Sequence, residues 1–460
     1  MRTNRKLTIN SLAAMVLILA VSGAGCGRHS SPGSLVVSQP TPIVGPGGAS
    51  AGAPVGAMAA LITGSFVIPT PVPGGVMAAD GASGFITAYV PNGSWSQPAT
   101  GVQIVPIAGS GGAPKSTVAT ANAVNSCSVN QLTHTAVCVA NGTDIYIING
   151  DTGELTTTLT SGGTETVIFS GGICTTCGVV VDPTTNTAVL SVAMGGGTSG
   201  FQLLNLANNT LSAPFAVSSD TEIAEHFGLD LSRHLILSPS EATADYNIFD
   251  IGNRNAPKQF NFKDAATVFS GDEFDSAAID STGIILATDE FTGNIFLADL
   301  TQAVFLSGSP GTWSAPNQLQ LLPEFRDDFS AGTTGIAVAY GAHVALLEDE
   351  FGEAAFGAIS LPSTSGSGVP SVQDWVVAQM PDTPDAQSWL MPLDPHGLTA
   401  AFVQIGSNSK GMGLLMNDQR TYIALIDLGA LLAAPRNPVH VVDPTYDLLD
   451  NNVVQFIAVN

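Results

Sequence analysis

The chain has 460 residues and few charges, with 13 Lys and Arg against 37 Asp and Glu and a formal net charge of −24. A field of that sign repels nucleic acid, anionic headgroups and phosphorylated substrates, which are held chiefly by Lys and Arg. It is compatible with solubility and with bound cations.

The first segment reads as a processing signal. Arg2, Arg5 and Lys6 precede an uninterrupted apolar run from Leu12 to Val21, then the small residues Ser22-Gly23-Ala24-Gly25, then Cys26. A basic start, a short apolar stretch and a small-residue cleavage site make a secretory signal. The run is too short for a comfortable spanning helix, which takes about 20 residues. Cysteine directly after the small residues resembles the lipobox of bacterial lipoproteins, although Gly23 stands where that group usually has Leu, Val or Ile. The resemblance implies cleavage after residue 25 and a diacylated Cys26 as the sole membrane anchor. Gly27, in place of the Asp that retains some lipoproteins at the inner membrane, implies the outer membrane or cell surface. Without the signal, 10 basic residues face the 37 acidic ones.

Residues 26–60 are rich in Ser, Pro, Gly and Ala and bury too little apolar surface to offset their ordering entropy. They read as a flexible tether with a reach of roughly 35 Å. Residues 61–460 read as one repeat domain.

From there a phrase recurs: an apolar strand ending in Asp or Asn, a short polar turn, then a second apolar strand. It runs VMAADGASGFITAYV at 76–90, CSVNQLTHTAVCVA at 127–140, VVVDPTTNTAVLSVA at 179–193 and FGLDLSRHLILS at 227–238. It continues as SAAIDSTGIILA at 276–287, a degenerate GIAVAYGAHVALL at 335–347, and MPLDPHGLTAAFV at 391–403. The anchors Asp80, Asn130, Asp182, Asp230, Asp280, Ala339 and Asp394 are 50, 52, 48, 50, 59 and 55 residues apart. A third strand follows most phrases, as in DIYIIN at 144–149, and often a weaker fourth, as in LTTTLT at 155–160. A period near 50 with several strands per unit predicts an all-β fold, a β-propeller of about seven four-stranded blades, with six or eight as alternatives. Each anchor Asp is expected to accept hydrogen bonds from its turn amides. VVQFIAV at 453–459 is expected to complete the first blade and lock the ring, and Asp443-Pro444 admits an incomplete eighth unit.

The phrase resembles the YVTN and NHL-like group of seven-bladed propellers. DIYIINGDTGEL at 144–155 is close to that group's third strand and turn, and VVVDPTTNTAVL and LDPHG to its inner strand. The resemblance covers roughly residues 75–460 and implies a fold far more than an activity.

Besides Cys26 there are Cys127, Cys138, Cys174 and Cys177. In an exported chain these suggest disulfides, with three possible pairings. Cys127–Cys138 across a hairpin with Cys174–Cys177 is favoured. Pairing between adjacent blades is the alternative, and a four-cysteine zinc site is the remaining reading. Acidic-aromatic loops at 224–228, 271–275 and 323–329 suggest a second constellation. Glu225, Asp275 and Asp328 are candidates to converge at a funnel mouth and hold Ca²⁺, with His226 beside them. None of these loops matches a calcium-binding loop, and no cofactor is otherwise expected. The histidines are dispersed, without a metal-binding pair. Together these features predict a monomeric, lipid-anchored envelope module that binds a protein or glycan, with whether it also catalyses a reaction left open and a binding role favoured over an enzymatic one. A lactonase-like hydrolase working in the funnel, with or without a metal, is the alternative.

Overall fold

Runs of Val, Ile and Leu between turn residues fold here as short antiparallel strands. The computed structural model describes residues 78–82, 85–93, 98–106, 116–164, 166–169, 172–195, 198–216, 228–239, 246–252, 258–262, 274–289, 295–300, 304–306, 311–314, 319–321, 335–348, 356–367, 375–378, 395–405, 408–417, 422–438, 440–443 and 445–458. The fold is all-β, with five separate sheets arranged as propeller blades and a sixth, larger sheet preceding them.

That first sheet runs in chain order through β1 (Ala78–Ala82), β2 (Phe85–Gly93), β3 (Pro98–Pro106), β4 (Ser116–Asn130), β5 (Thr135–Ala140), β6 (Asp144–Asn149) and β7 (Glu154–Thr160). Strand β4 is 15 residues long because it serves twice. Its first half pairs with β3 and its second half, from Val124, pairs with β5. The Tyr146 hydroxyl accepts the amides of Ala121 and Asn122 at 3.1 and 3.0 Å, where one role gives way to the other. After a small hairpin of β8 (Val167–Phe169) and β9 (Gly172–Cys174), the first separate blade is β10 (Thr176–Asp182), β11 (Thr187–Met194), β12 (Thr198–Asn205), β13 (Thr210–Leu211) and β14 (Phe215–Ala216).

The second blade is β15 (Gly228–Asp230), β16 (Leu235–Pro239), β17 (Tyr246–Asp250) and β18 (Lys258–Phe262). The third is β19 (Phe274–Ile279), β20 (Ile284–Asp289) and β21 (Ile295–Asp299), closed by β24 (Leu319–Leu321). Between β21 and β24 the chain makes β22 (Val304–Leu306) and β23 (Gly311–Ser314), and β23 adds in parallel to the outer edge of β18 in the preceding blade. The fourth is β25 (Gly335–Ala339), β26 (Val344–Glu348), β27 (Phe356–Ser360) and β28 (Trp375–Ala378). The fifth is β29 (Pro395–Ile405), β30 (Asn408–Asn417), β31 (Tyr422–Asp427) and β32 (Val454–Ala458), with a short helix α1 (Leu428–Ala433) after β31.

The expected locking strand does not complete the first unit. β32 pairs with β31, from Tyr422↔Ala458 to Ile426↔Val454. The reason lies in residues 428–453, which leave β31 and pack back on the preceding blade. Leu428, Leu431, Val442 and Leu448 join the core of Ala358, Phe356 and Val376, and Val441 bridges Val377 in parallel. The return path then delivers β32 to the open edge of β31. Asp443 belongs to this excursion, its amide donating to Pro435 O at 2.8 Å.

Packing follows the logic of radial stacking. A sheet with two apolar faces needs a neighbour on each side. In β10, Val179 and Val181 pack with Val137, Val139, Ile145 and Ile147 of the sheet before, whereas Val180 packs with Leu229, Ile236 and Phe249 of the sheet after. Burying such a side chain is worth about 1.5–3 kcal/mol. Where β15 meets β19 the approach is close: a Cβ on Gly228 would sit 3.1 Å from the backbone of Ala277 and Ala278. β1 lies beside both β4 and β29, the inner strands of its own sheet and of the last blade.

The outer strand β7 has exposed Glu154, Leu155, Thr156, Thr158 and Thr160 and pairs only with β6. Its register shifts between Ile147 and Ile148, so Thr156 is an extra residue. Such a bulge twists an edge away from unwanted pairing.

Candidate functional site at the inner hairpin rim

The anchors Asn130, Asp182, Asp230 and Asp280 lie where their inner strands turn back. Their side chains cap the turn as expected. Asn130 Oδ1 accepts Leu132 N at 2.9 Å, Asp182 Oδ1 accepts Thr184 N at 2.8 Å, and Asp230 Oδ1 accepts Ser232 N at 2.9 Å. Asp280 Oδ2 accepts Thr282 N at 3.0 Å. All four anchors are fully buried.

Capping does not exhaust these side chains, and each also reaches another unit. Four residues after the anchor, the turn needs a left-handed residue: His134, Asn186, His234 and His343 have φ of 52°, 52°, 55° and 54°. His and Asn tolerate that region better than most side chains. From there Asn186, His234 and His343 meet the anchor of the unit before. His234 Nδ1 lies 2.9 Å from Asp182 Oδ2, and His343 Nδ1 lies 2.9 Å from Asp280 Oδ2. The amide anchor Asn130 instead donates through Nδ2 to Asn186 Oδ1 at 2.6 Å. The chemistry matches on each side: a carboxylate only accepts and takes an imidazole N–H, whereas an amide pairs with an amide.

Asp230 breaks this pattern for a geometric reason. The turn after Asp280 is one residue shorter, with Gly283 at φ 91° closing it, so no left-handed histidine faces Asp230. Its partners come from elsewhere. Arg233 Nη1 bonds Oδ2 from within the turn, and Tyr340 donates its hydroxyl to Oδ1 at 3.2 Å from the β25–β26 turn. That one turn therefore holds two buried carboxylates, Asp230 through Tyr340 and Asp280 through His343. Serine hydroxyls add to the joints: Ser128 accepts Val181 N at 3.0 Å and Ser276 accepts Ile336 N at 3.3 Å.

Burial, reinforced by the Asp230 carboxylate, pushes the Tyr340 hydroxyl up to about 12. A phenol with a raised folded-state value gives stability that is present below its unfolded value of about 10 and is lost as pH rises from 10 through 12. The loss is at most about 2–3 kcal/mol. Alkaline titration of tyrosinate absorbance is expected to show late-titrating groups, since burial also raises Tyr146, and Tyr340→Phe is expected to remove the last of them. An unchanged absorbance profile in that variant would contradict this assignment.

The cysteines form two disulfides, Cys127–Cys138 and Cys174–Cys177. The first joins residues directly opposite each other in β4 and β5. The second encloses Thr175 and Thr176 where β9 passes into β10, and both its cysteines are buried. These are the favoured pairings, and neither joins the cysteines of the two hairpins to each other.

Of the proposed cation ligands, Glu225 and Asp328 lie outside the described residues, as do His226 and Cys26. Asp275 falls within β19 and not in a loop, at the point where its register against β20 shifts. Among the described residues no three His, Cys, Asp or Glu side chains are grouped to hold a metal ion. Sequence reading missed the histidines at 234 and 343, though the signal was present: anchor plus four is His or Asn at 134, 186, 234 and 343. No protein-family model matches this chain, and no curated protein is similar to it.

Proposed function

We propose that this chain is an exported lipoprotein, diacylated at Cys26, whose seven-unit propeller is held off the envelope surface by the 26–60 tether and binds a protein or glycan partner. The observation that carries the binding reading is the use made of the rim carboxylates. Asp182, Asp230 and Asp280 each accept from their own turn amides and from another unit. What faces outward is recognition chemistry: Leu132, 56% exposed at the tip of its turn, next to the exposed Thr133. Loops on a rigid scaffold commonly carry binding. Seven units are supported by the double role of β4 and by β1, which lies beside β4 and β29 as an inner strand would. The hydrolase alternative needs a carboxylate or histidine free to act on substrate, and the paired rim residues favour it less.

The test has two parts. Cys26→Ser is expected to move the protein from the membrane to the soluble fraction and to abolish labelling by radioactive palmitate. Purified propeller is expected to bind an envelope protein or glycan saturably, with affinity reduced about tenfold or more by Leu132→Asp, the scale of losing one buried contact at an interface. Lactone turnover with no saturable binding would replace this reading with the hydrolase.

A further inference from the structure

The sequence contains three Asn-Gly pairs, Asn92-Gly93, Asn141-Gly142 and Asn149-Gly150. Asparagine is thermolabile, and glycine after it offers an unhindered backbone nitrogen to the side-chain carbonyl carbon. Folding separates the three. Asn149 Oδ1 is held by Asp151 N at 2.9 Å and Thr152 N at 3.1 Å, while Gly150 N donates to His134 O at 2.6 Å. Both reacting groups are thus tied in place. Asn92 Nδ2 donates to Thr100 O at 2.9 Å across the β2–β3 pair. At the β5–β6 turn, in contrast, Gly142 N meets no acceptor among the described residues, and Asn141 Oδ1 has no hydrogen-bond partner there. Space around Gly142 is open as well, since a Cβ there would meet nothing within 4 Å.

We infer that Asn141 is a site of spontaneous deamidation in the folded protein. Hydroxide takes the Gly142 amide proton, and the nitrogen forms a bond to Asn141 Cγ. The Cγ–Nδ2 bond breaks and ammonia leaves. Water then opens the cyclic imide at either carbonyl, leaving aspartate or isoaspartate at position 141, with no change of oxidation state. The new carboxylate enters the turn next to Asp144, whose Oδ2 already accepts from Asn122 Nδ2 at 2.7 Å and from the Tyr146 hydroxyl at 3.1 Å. Like charge accumulates where the two halves of β4 meet.

The experiment incubates the full-length protein in mildly alkaline buffer, native and in denaturant, and follows each Asn-Gly peptide by its mass gain of about one unit and by enzymatic isoaspartate labelling. In the native protein, position 141 is expected to react at least several-fold faster than 92 or 149, and in denaturant the three rates converge. Gly142→Ala, which the open space accommodates, is expected to stop the native reaction. Native rates at 92 or 149 that equal the rate at 141, an unreactive 141 in the native protein, or a Gly142→Ala protein that reacts as fast as wild type would each overturn the assignment.

Discussion

Asp230→Ala is expected to lower the stability of the propeller by about 3 kcal/mol or more, the scale set by removing one partner of a buried ion pair. The carboxylate receives Ser232 N and Oγ, Arg233 N and Nη1, and the Tyr340 hydroxyl. Alanine leaves the turn without its cap and the buried phenol without its acceptor, and an unsatisfied buried donor costs about 1–3 kcal/mol. Arg233 is 31% exposed and regains some hydration, which keeps the loss from growing further. Asp230→Asn retains an oxygen for the turn amides and Tyr340 and is expected to cost about 1 kcal/mol, the ordinary value of one hydrogen bond. Asp443 provides the control. It builds the same turn with Thr445 on the surface, and those hydrogen bonds hold its carboxyl below the usual range. Asp443→Ala should produce no comparable loss. Urea midpoints for the three variants check the ordering, and equal effects at 230 and 443 would show that capping alone matters and the joint between units does not.

The second large effect concerns Cys127–Cys138. The two residues are 11 apart in sequence, and closing so short a loop in the unfolded chain is worth about 3 kcal/mol in the chain-entropy account. Both sit in an apolar cluster with Tyr89, Val129 and Tyr146, so alanine in place of each is a compatible replacement. The Cys127→Ala, Cys138→Ala protein is expected to unfold at lower urea and to become insensitive to reductant at this step. Cys174–Cys177 closes only three residues of separation and should contribute less. A double variant whose midpoint matches the oxidised wild type would refute the entropic contribution.

The strand content and the repeat were legible because each phrase carries its own local physics. VVVDPTTNTAVL shows two apolar strands and a capped turn without any knowledge of its neighbours, and the structure builds β10 and β11 from it. The hairpin disulfide was legible for the same reason, since Cys127 and Cys138 flank one turn. What sequence reading missed was the relation between units. Nothing within SRHLIL or GAHVAL announces that His234 and His343 reach back some fifty or sixty residues, because the signal exists only when repeats are aligned by their turns. Tyr340 was harder still: its partner Asp230 is 110 residues away. Its role depends on a turn elsewhere being one residue short. The destination of VVQFIAV was misjudged because a terminal strand fits any open edge, and the packing of residues 428–453 decides which edge is presented.

The two excursions, β22–β23 onto β18 and residues 428–453 onto the β25–β28 blade, make this ring less modular than its repeat suggests. A segment excised at the boundaries of one period would leave behind a strip belonging to its predecessor. Duplication or loss of a single repeat would therefore tear a neighbour open, so evolutionary growth or shrinkage of the wheel at these places has to proceed in linked pairs. Engineers seeking cut points, permuted termini or insertion sites should look to the β10–β14 blade, whose strands pair only with one another among the described residues.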